Sequence, residues 1–211
     1  MPRRLKLALF AFFILSLVMT GIGYLLLRSP ELQTEAAPIG QISLQFAWNE
    51  ENASAMIDSW RDPATGPVRK EAYDNIHVDD YVYIPAYSTL TGLLCIWAGD
   101  KLRKKSNKYG KLGWRGRFTV VGTVFALTQT IAGGFDFAEN RCIEAMLNGP
   151  VVDPLPMITT ILSGIKWTLI LIGLGFFFWG LYEAGFESTE TALQEASSVS
   201  AASRTASSTT I

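Results

Sequence analysis

Residues 122–140 read GTVFALTQTIAGGFDFAEN, a stretch in which small and polar side chains return at helical spacing through an otherwise apolar run. On a helical projection Gly122, Ala126, Gln129, Gly133, Asp136 and Asn140 fall on one face. Phe118, Val120, Val121, Val124, Phe125, Leu127 and Ile131 cover the remainder. An apolar exterior with one small-then-polar seam predicts a helix embedded in lipid. A glutamine and a carboxylate on such a helix are costly unless they face the interior of a bundle, so the seam demands partner helices.

The rest of the chain supplies them. At 211 residues, with 49% hydrophobic and 18% charged side chains, the composition fits an ordinary domain until its apolar residues are seen to be clumped. Four segments, residues 5–27, 81–98, 118–137 and 158–182, approach the roughly 20 helical residues needed to cross about 30 Å of hydrocarbon. The expected fold is therefore an all-α, multi-pass integral membrane protein: a four-helix membrane domain over residues 1–182, including a small outer segment at 28–80. Residues 183–211, acidic and then rich in Ser, Thr and Ala with no apolar period, read as a disordered cytoplasmic tail.

Basic residues set the expected orientation. Arg3, Arg4 and Lys6 precede the first span, and Lys101, Arg103, Lys104, Lys105, Lys108, Lys111, Arg115 and Arg117 lie between the second and third, which predicts cytoplasmic N- and C-termini. Fourteen of the nineteen carboxylates fall between Glu31 and Asp153 in the two segments expected on the opposite side. Charge is thus separated by side, and nothing points to nucleic acid. A bacterial inner membrane and a eukaryotic plasma membrane or endomembrane fit equally. The first span is basic at its start like a signal peptide, but its apolar run exceeds the usual core of about 7–15 residues, so an uncleaved anchor is expected.

Within the outer segment, Ile42, Leu44, Phe46 and Trp48 alternate with smaller or polar residues and read as a short extended stretch. Asn49 is a candidate N-cap for an amphipathic helix with Glu50 and Glu51 in its first turn and Ala53, Met56, Ile57 and Trp60 as its stripe. That helix reads as a cap over the bundle, or as a docking or headgroup-level surface through its tryptophans. Asn52-Ala53-Ser54 matches the N-glycosylation pattern, so Asn52 is a possible acceptor. Val68–Asn75 reads as a polar helix running into the second span, where Pro85 should bend or unsettle the first turns. Cys95 and Cys142 fall at opposite ends of the bundle, and no disulfide is expected.

Lys166 is the most informative residue, because an ionised lysine inside a span costs on the order of 2.5–3.5 kcal/mol without water or a partner. The third and fourth helices run in opposite directions, so their side chains lean toward one another and Asp136 should meet Lys166, with Gln129 as a second partner. Thr159, Ser163, Lys166, Gly173 and Gly180 form the matching seam, which predicts antiparallel packing of these two helices. Asp79, Asp80, Tyr83, Tyr87, Gln129, Asp136, Glu139, Asn140 and Lys166 are therefore the candidate polar cluster, either a lock on the hairpin or the lining of an outward-open pocket. Asp136-Phe137-Ala138-Glu139 has capping-box spacing as well, and so could instead start a short interfacial helix ending at Asn148-Gly149-Pro150.

No Ser-His pair, metal-ligand cluster or phosphate-binding glycine loop is legible, so neither metal nor cofactor is expected and enzymatic activity is disfavoured. His77 beside Asp79 and Asp80 reads as solvated, since i, i+2 neighbours do not share a helix face. The leading expectation is a non-enzymatic accessory or scaffolding subunit that meets membrane lipids and either protein partners or a second copy through small-residue helix faces. An outward-facing lipid- or amphiphile-binding protein or enzyme built on Asp136 and Lys166 is the alternative. An oligomeric transporter comes third, because no pair of broken inverted segments is present.

Overall fold

In a computed structural model the backbone is described for residues 3–26, 29–108 and 117–208, and side chains for residues 10–25, 29–106 and 117–183. Lys111 and Arg115 of the basic segment lie outside the described residues, as do the side chains of Arg3, Arg4 and Lys6. The described residues form α1 (Arg3–Leu26), α2 (Gln41–Leu44), α3 (Glu50–Ser59), α4 (Lys70–Val78), α5 (Ile84–Lys108), α6 (Arg117–Asn148) and α7 (Leu155–Ser208), with no strand among them. Three stretches, Lys70–Ser106, Arg117–Asn148 and Leu155–Glu183, are long and apolar enough to cross a membrane, and Phe10–Leu25 of α1 is a shorter apolar helix.

The bundle is α5, α6 and α7 packed pairwise, with α1 laid against the start of α5. Glycines set how closely these helices approach. A Cβ at Gly99 would stand 2.7 Å from the Phe118 carbonyl oxygen, and one at Gly122 would stand 2.9 Å from that of Cys95. Backbone therefore rests on backbone where α5 crosses α6, as small residues permit. Phe125 and Phe176, 4.7 Å between ring centres, fill the wedge beside that crossing.

The third span is longer than its expected end at residue 137: α6 continues unbroken to Asn148. No glycine or proline interrupts residues 137–148, and Ala138, Glu139, Glu144, Ala145, Met146 and Leu147 favour helix. The capping-box reading of Asp136 and Glu139 falls with this, because a cap needs non-helical backbone and Asp136 lies inside the helix. The stop at Asn148-Gly149-Pro150 is as expected.

The extra turns of α6 have a use. Ile143, Met146 and Leu147 form the floor of a second core with Leu32, Ala37, Leu44, Ala47, Ala53, Ile57, Trp60, Ala72 and Ile76, so residues 29–78 make a folded head on the end of the bundle. Trp60 is fully buried there and donates from Nε1 to the Leu32 carbonyl at 2.8 Å. The expected extended stretch at 42–48 is instead α2 followed by turns: Gly40, at φ 60°, turns the chain into a helical course that sends Leu44 and Ala47 inward and Ile42 and Phe46 outward. Two-residue alternation misled here because the same residues also hold helical spacing, Ile42 with Phe46 and Leu44 with Trp48 being four apart.

The N-cap at Asn49 is as expected: its backbone is extended and its side-chain oxygen accepts the Asn52 N–H at 2.9 Å. Asn49→Ala should destabilise the head by about 1 kcal/mol, read as a lowered denaturant midpoint of Trp60 fluorescence with an unchanged slope.

The polar helix before the second span is α4, and Pro85 disturbs the junction. Proline lacks the N–H that would bond the Tyr81 carbonyl and crowds the preceding turn. The chain widens into a π-helical turn at Asp79–Tyr83, where Ile84 N–H reaches back to the Asp79 carbonyl. Beyond Tyr182, where a disordered tail is expected, helical backbone continues to Ser208, and its side chains past residue 183 lie outside the described residues. Extending an existing helix adds one bond per residue fixed and avoids the cost of a new nucleus.

Candidate functional site

Lys166 lies about 16 Å along α7 from Leu155, at 1.5 Å per residue, and is buried. Its Nζ donates to Asp136 Oδ1 at 2.7 Å and makes an ion-pair contact of 2.8 Å with Glu139 Oε2. Asp136 and Glu139 are three residues apart on α6, so one face presents both carboxylates to the same ammonium group. Tyr87 of α5 donates from its hydroxyl to Asp136 Oδ2 at 2.8 Å, and each oxygen of Asp136 thereby has a partner from a different helix. Ser163, buried one turn before Lys166, faces Glu139.

The π-helical turn supplies the other half. Asn140 Nδ2 donates to Asp79 Oδ2 at 2.6 Å and to Asp80 Oδ1 at 2.9 Å, while Arg141 pairs with Asp80 Oδ2. A regular α-helical turn changes direction by about 100° per residue, and the wider turn lets two consecutive aspartates address one asparagine. Tyr83 lies against Tyr87, with ring centres 5.2 Å apart, and its Cβ is 3.0 Å from where a Cβ on Gly23 of α1 would stand. Eight of the nine expected cluster residues thus meet, contributed by the π-helical turn, α5, α6 and α7.

Gln129 stands apart from them. Two turns from Asp136, it donates from Nε2 to the Leu169 carbonyl at 3.0 Å, and its Oε1 accepts no hydrogen bond from Lys166. It can reach that carbonyl because Gly173 leaves room, since a Cβ there would collide with Gln129 Nε2. The seam glycine on α7 and the glutamine on α6 are one device.

Arg141 is the residue that sequence reasoning missed. It comes beside Asn140 at the polar cluster because α6 continues past residue 137, where the third span is expected to end. Its guanidinium also lies 4.9 Å from the Phe137 ring centre and pairs with Glu144. The network holds four carboxyl groups, of Asp79, Asp80, Asp136 and Glu139, against the cationic side chains of Lys166 and Arg141. Neutral donors from Tyr87 and Asn140 help to offset that excess.

Elsewhere, His77 Nδ1 lies 2.9 Å from the Tyr73 carbonyl oxygen, and among the described residues no group of His, Cys, Asp or Glu is arranged to hold a metal ion. Asn52 is exposed, but its Nδ2, the atom a glycan would occupy, donates to the Ala47 carbonyl at 3.1 Å. Cys95 and Cys142 are both free thiols. Compared with family models, curated proteins and solved structures, the chain matches none.

The arrangement can do two things chemically. It ties three long helices together at one level through charged and hydrogen-bonded contacts, and it keeps carboxyl groups and an ammonium group within proton-transfer distance away from bulk water. The first needs no ligand.

Proposed function

We propose that the chain is a non-enzymatic, four-span membrane protein that acts as an accessory or scaffolding subunit of a membrane complex. The observation that carries this reading is that most of the buried polar side chains at this level already have partners within the chain, Lys166 with Asp136 and Glu139, Tyr87 with Asp136, Asn140 with Asp79 and Asp80, and Gln129 Nε2 with the Leu169 carbonyl, while Ser163 Oγ and Gln129 Oε1 have none among the described residues. Such a network spends its polarity on holding a frame, and the frame carries a folded head whose core is continuous with α6.

In this reading α1, at 24 residues, is the fourth span. The basic end that bears Lys101, Arg103, Lys104 and Lys105 faces the cytoplasm with both termini, and the head faces the opposite side. The membrane is a bacterial inner membrane or a eukaryotic plasma membrane or endomembrane. Gly122, Gly133 and Gly173 are used inside the chain, so a protein partner or second copy would meet other faces. Gly134, Gly164 and Gly175 lie on such faces, where an added Cβ meets nothing within 4 Å.

Native mass spectrometry of the chain extracted gently from its own membrane tests this. Other polypeptides at fixed stoichiometry are the expected result, and a stable monomer with nothing bound removes the proposal. A lipid or amphiphile retained by the wild type and lost from Lys166→Met, with no second polypeptide, would move the assignment to an amphiphile-binding protein.

A further inference from the structure

The two tryptophans of the head have opposite fates. Trp60 is fully buried, whereas Trp48 is 55% exposed. Trp48 lies near the end of an uncharged run, residues 36–49, between Glu35 and Glu50. Within it Ile39, Ile42, Phe46 and Trp48 are all exposed, while Leu44 and Ala47 hold the same segment to the core of the head. Four large apolar side chains on one short stretch, without a charge among them, are unusual on a face that meets only water.

The backbone keeps Trp48 in this position at a cost. Its φ of 65° lies in the left-handed region, which a bulky residue rarely occupies. Asn52 Nδ2 bonds the carbonyl just before it, Asn49 caps α3 just after it, and its own N–H donates to Thr160 Oγ1 of α7 at 3.3 Å. Thr160 is about 7.5 Å along α7 from Leu155, in its second turn. Met157, Ile158 and Ile161 on those turns are exposed as well, so the apolar surface of the run continues onto the outward face of α7.

We infer that residues 39–48 are an interfacial foot, inserted into the headgroup and upper acyl region of the bilayer beside α7, with Phe46 and Trp48 as its deepest side chains. The occupant of this surface is lipid. The argument rests on continuity with α7 and on the absence of charge, and it depends on the reading that α7 spans the membrane. Amphipathic indole suits that depth, and apolar side chains reaching about 5–10 Å below the surface are the rule for interfacial segments. The foot would hold the head against the membrane at a second point, away from its attachment through α4 and α6.

The test uses the full chain reconstituted in phosphatidylcholine vesicles whose acyl chains are brominated at shallow or at deep positions. The fluorescence lost on Trp48→Phe reports Trp48, and that lost on Trp167→Phe reports the span. Trp48 emission is expected to be blue-shifted, quenched strongly by shallow bromines and weakly by deep ones, and resistant to aqueous iodide. Quenching of Trp48 by iodide but not by bromolipid, with Trp167 quenched by bromolipid, overturns the foot and leaves the span standing. Shielding of Trp48 from both quenchers gives the surface to protein and also overturns it. If bromolipid fails to quench Trp167, the spanning reading falls and the foot falls with it.

Discussion

Lys166→Met is expected to cost about 3–5 kcal/mol of bundle stability, because it leaves Asp136 and Glu139 buried with their shared cation gone. Methionine matches the lysine stem, so the loss is electrostatic and packing is kept. Equilibrium unfolding of the purified protein in mixed micelles with rising SDS measures it, as an early loss of helical signal. The triple variant Lys166→Met, Asp136→Asn, Glu139→Gln should recover much of the loss, since removing all three charges removes the desolvation penalty together with the attraction. Salt provides a control. The pair Lys105–Glu183, at the opposite end of the bundle and partly exposed, should weaken with ionic strength, whereas the Lys166 contacts should not. A Lys166→Met protein as stable as the wild type would show that the cluster does not lock the bundle.

The second large effect is expected at Gly122. Substitution with leucine places an isobutyl group where the first carbon alone would meet the Cys95 carbonyl at 2.9 Å and the Gly99 Cα at 3.1 Å. Backbone atoms cannot rotate aside, so α5 and α6 must separate, and the contacts around Phe125 and Phe176 separate with them. The expected cost exceeds the roughly 1–3 kcal/mol of an ordinary overpacking change and should appear as loss of folded protein after detergent extraction. Leucine at Gly134, on the same helix with nothing within 4 Å, should leave the yield unchanged. Equal yields from the two variants would refute the close crossing of α5 and α6.

Particular residues explain what could be seen in the sequence. The seam of α6 was legible because lipid makes a one-sided polar stripe conspicuous, and Lys166 was legible because its isolation demands a partner. The meeting of Lys166 with Asp136 followed from the opposite tilts of side chains on antiparallel helices. The role of Gln129 did not follow, because its acceptor is a backbone carbonyl, present at every position and exposed to a side chain only where Gly173 leaves a gap. The length of α6 and the π-helical turn that aims Asp79 and Asp80 at the one Asn140 side chain were hidden for a related reason. Each depends on how backbone continues through residues whose types permit more than one course, at 137–148 and ahead of Pro85. The head was legible at Asn49, where a side chain fixes the local bond, and misread at 42–48, where spacing alone had to decide.

A single rod runs from the Gly122 crossing, past Gln129 and the lysine clamp, to Ile143, Met146 and Leu147 under the head. The whole of α6, 32 residues, is about 48 Å long, against roughly 30 Å of hydrocarbon. Because one unbroken helix carries both the close crossing with α5 and the floor of the head, any tilt of α6 within the bundle is passed to the head as a rigid rotation.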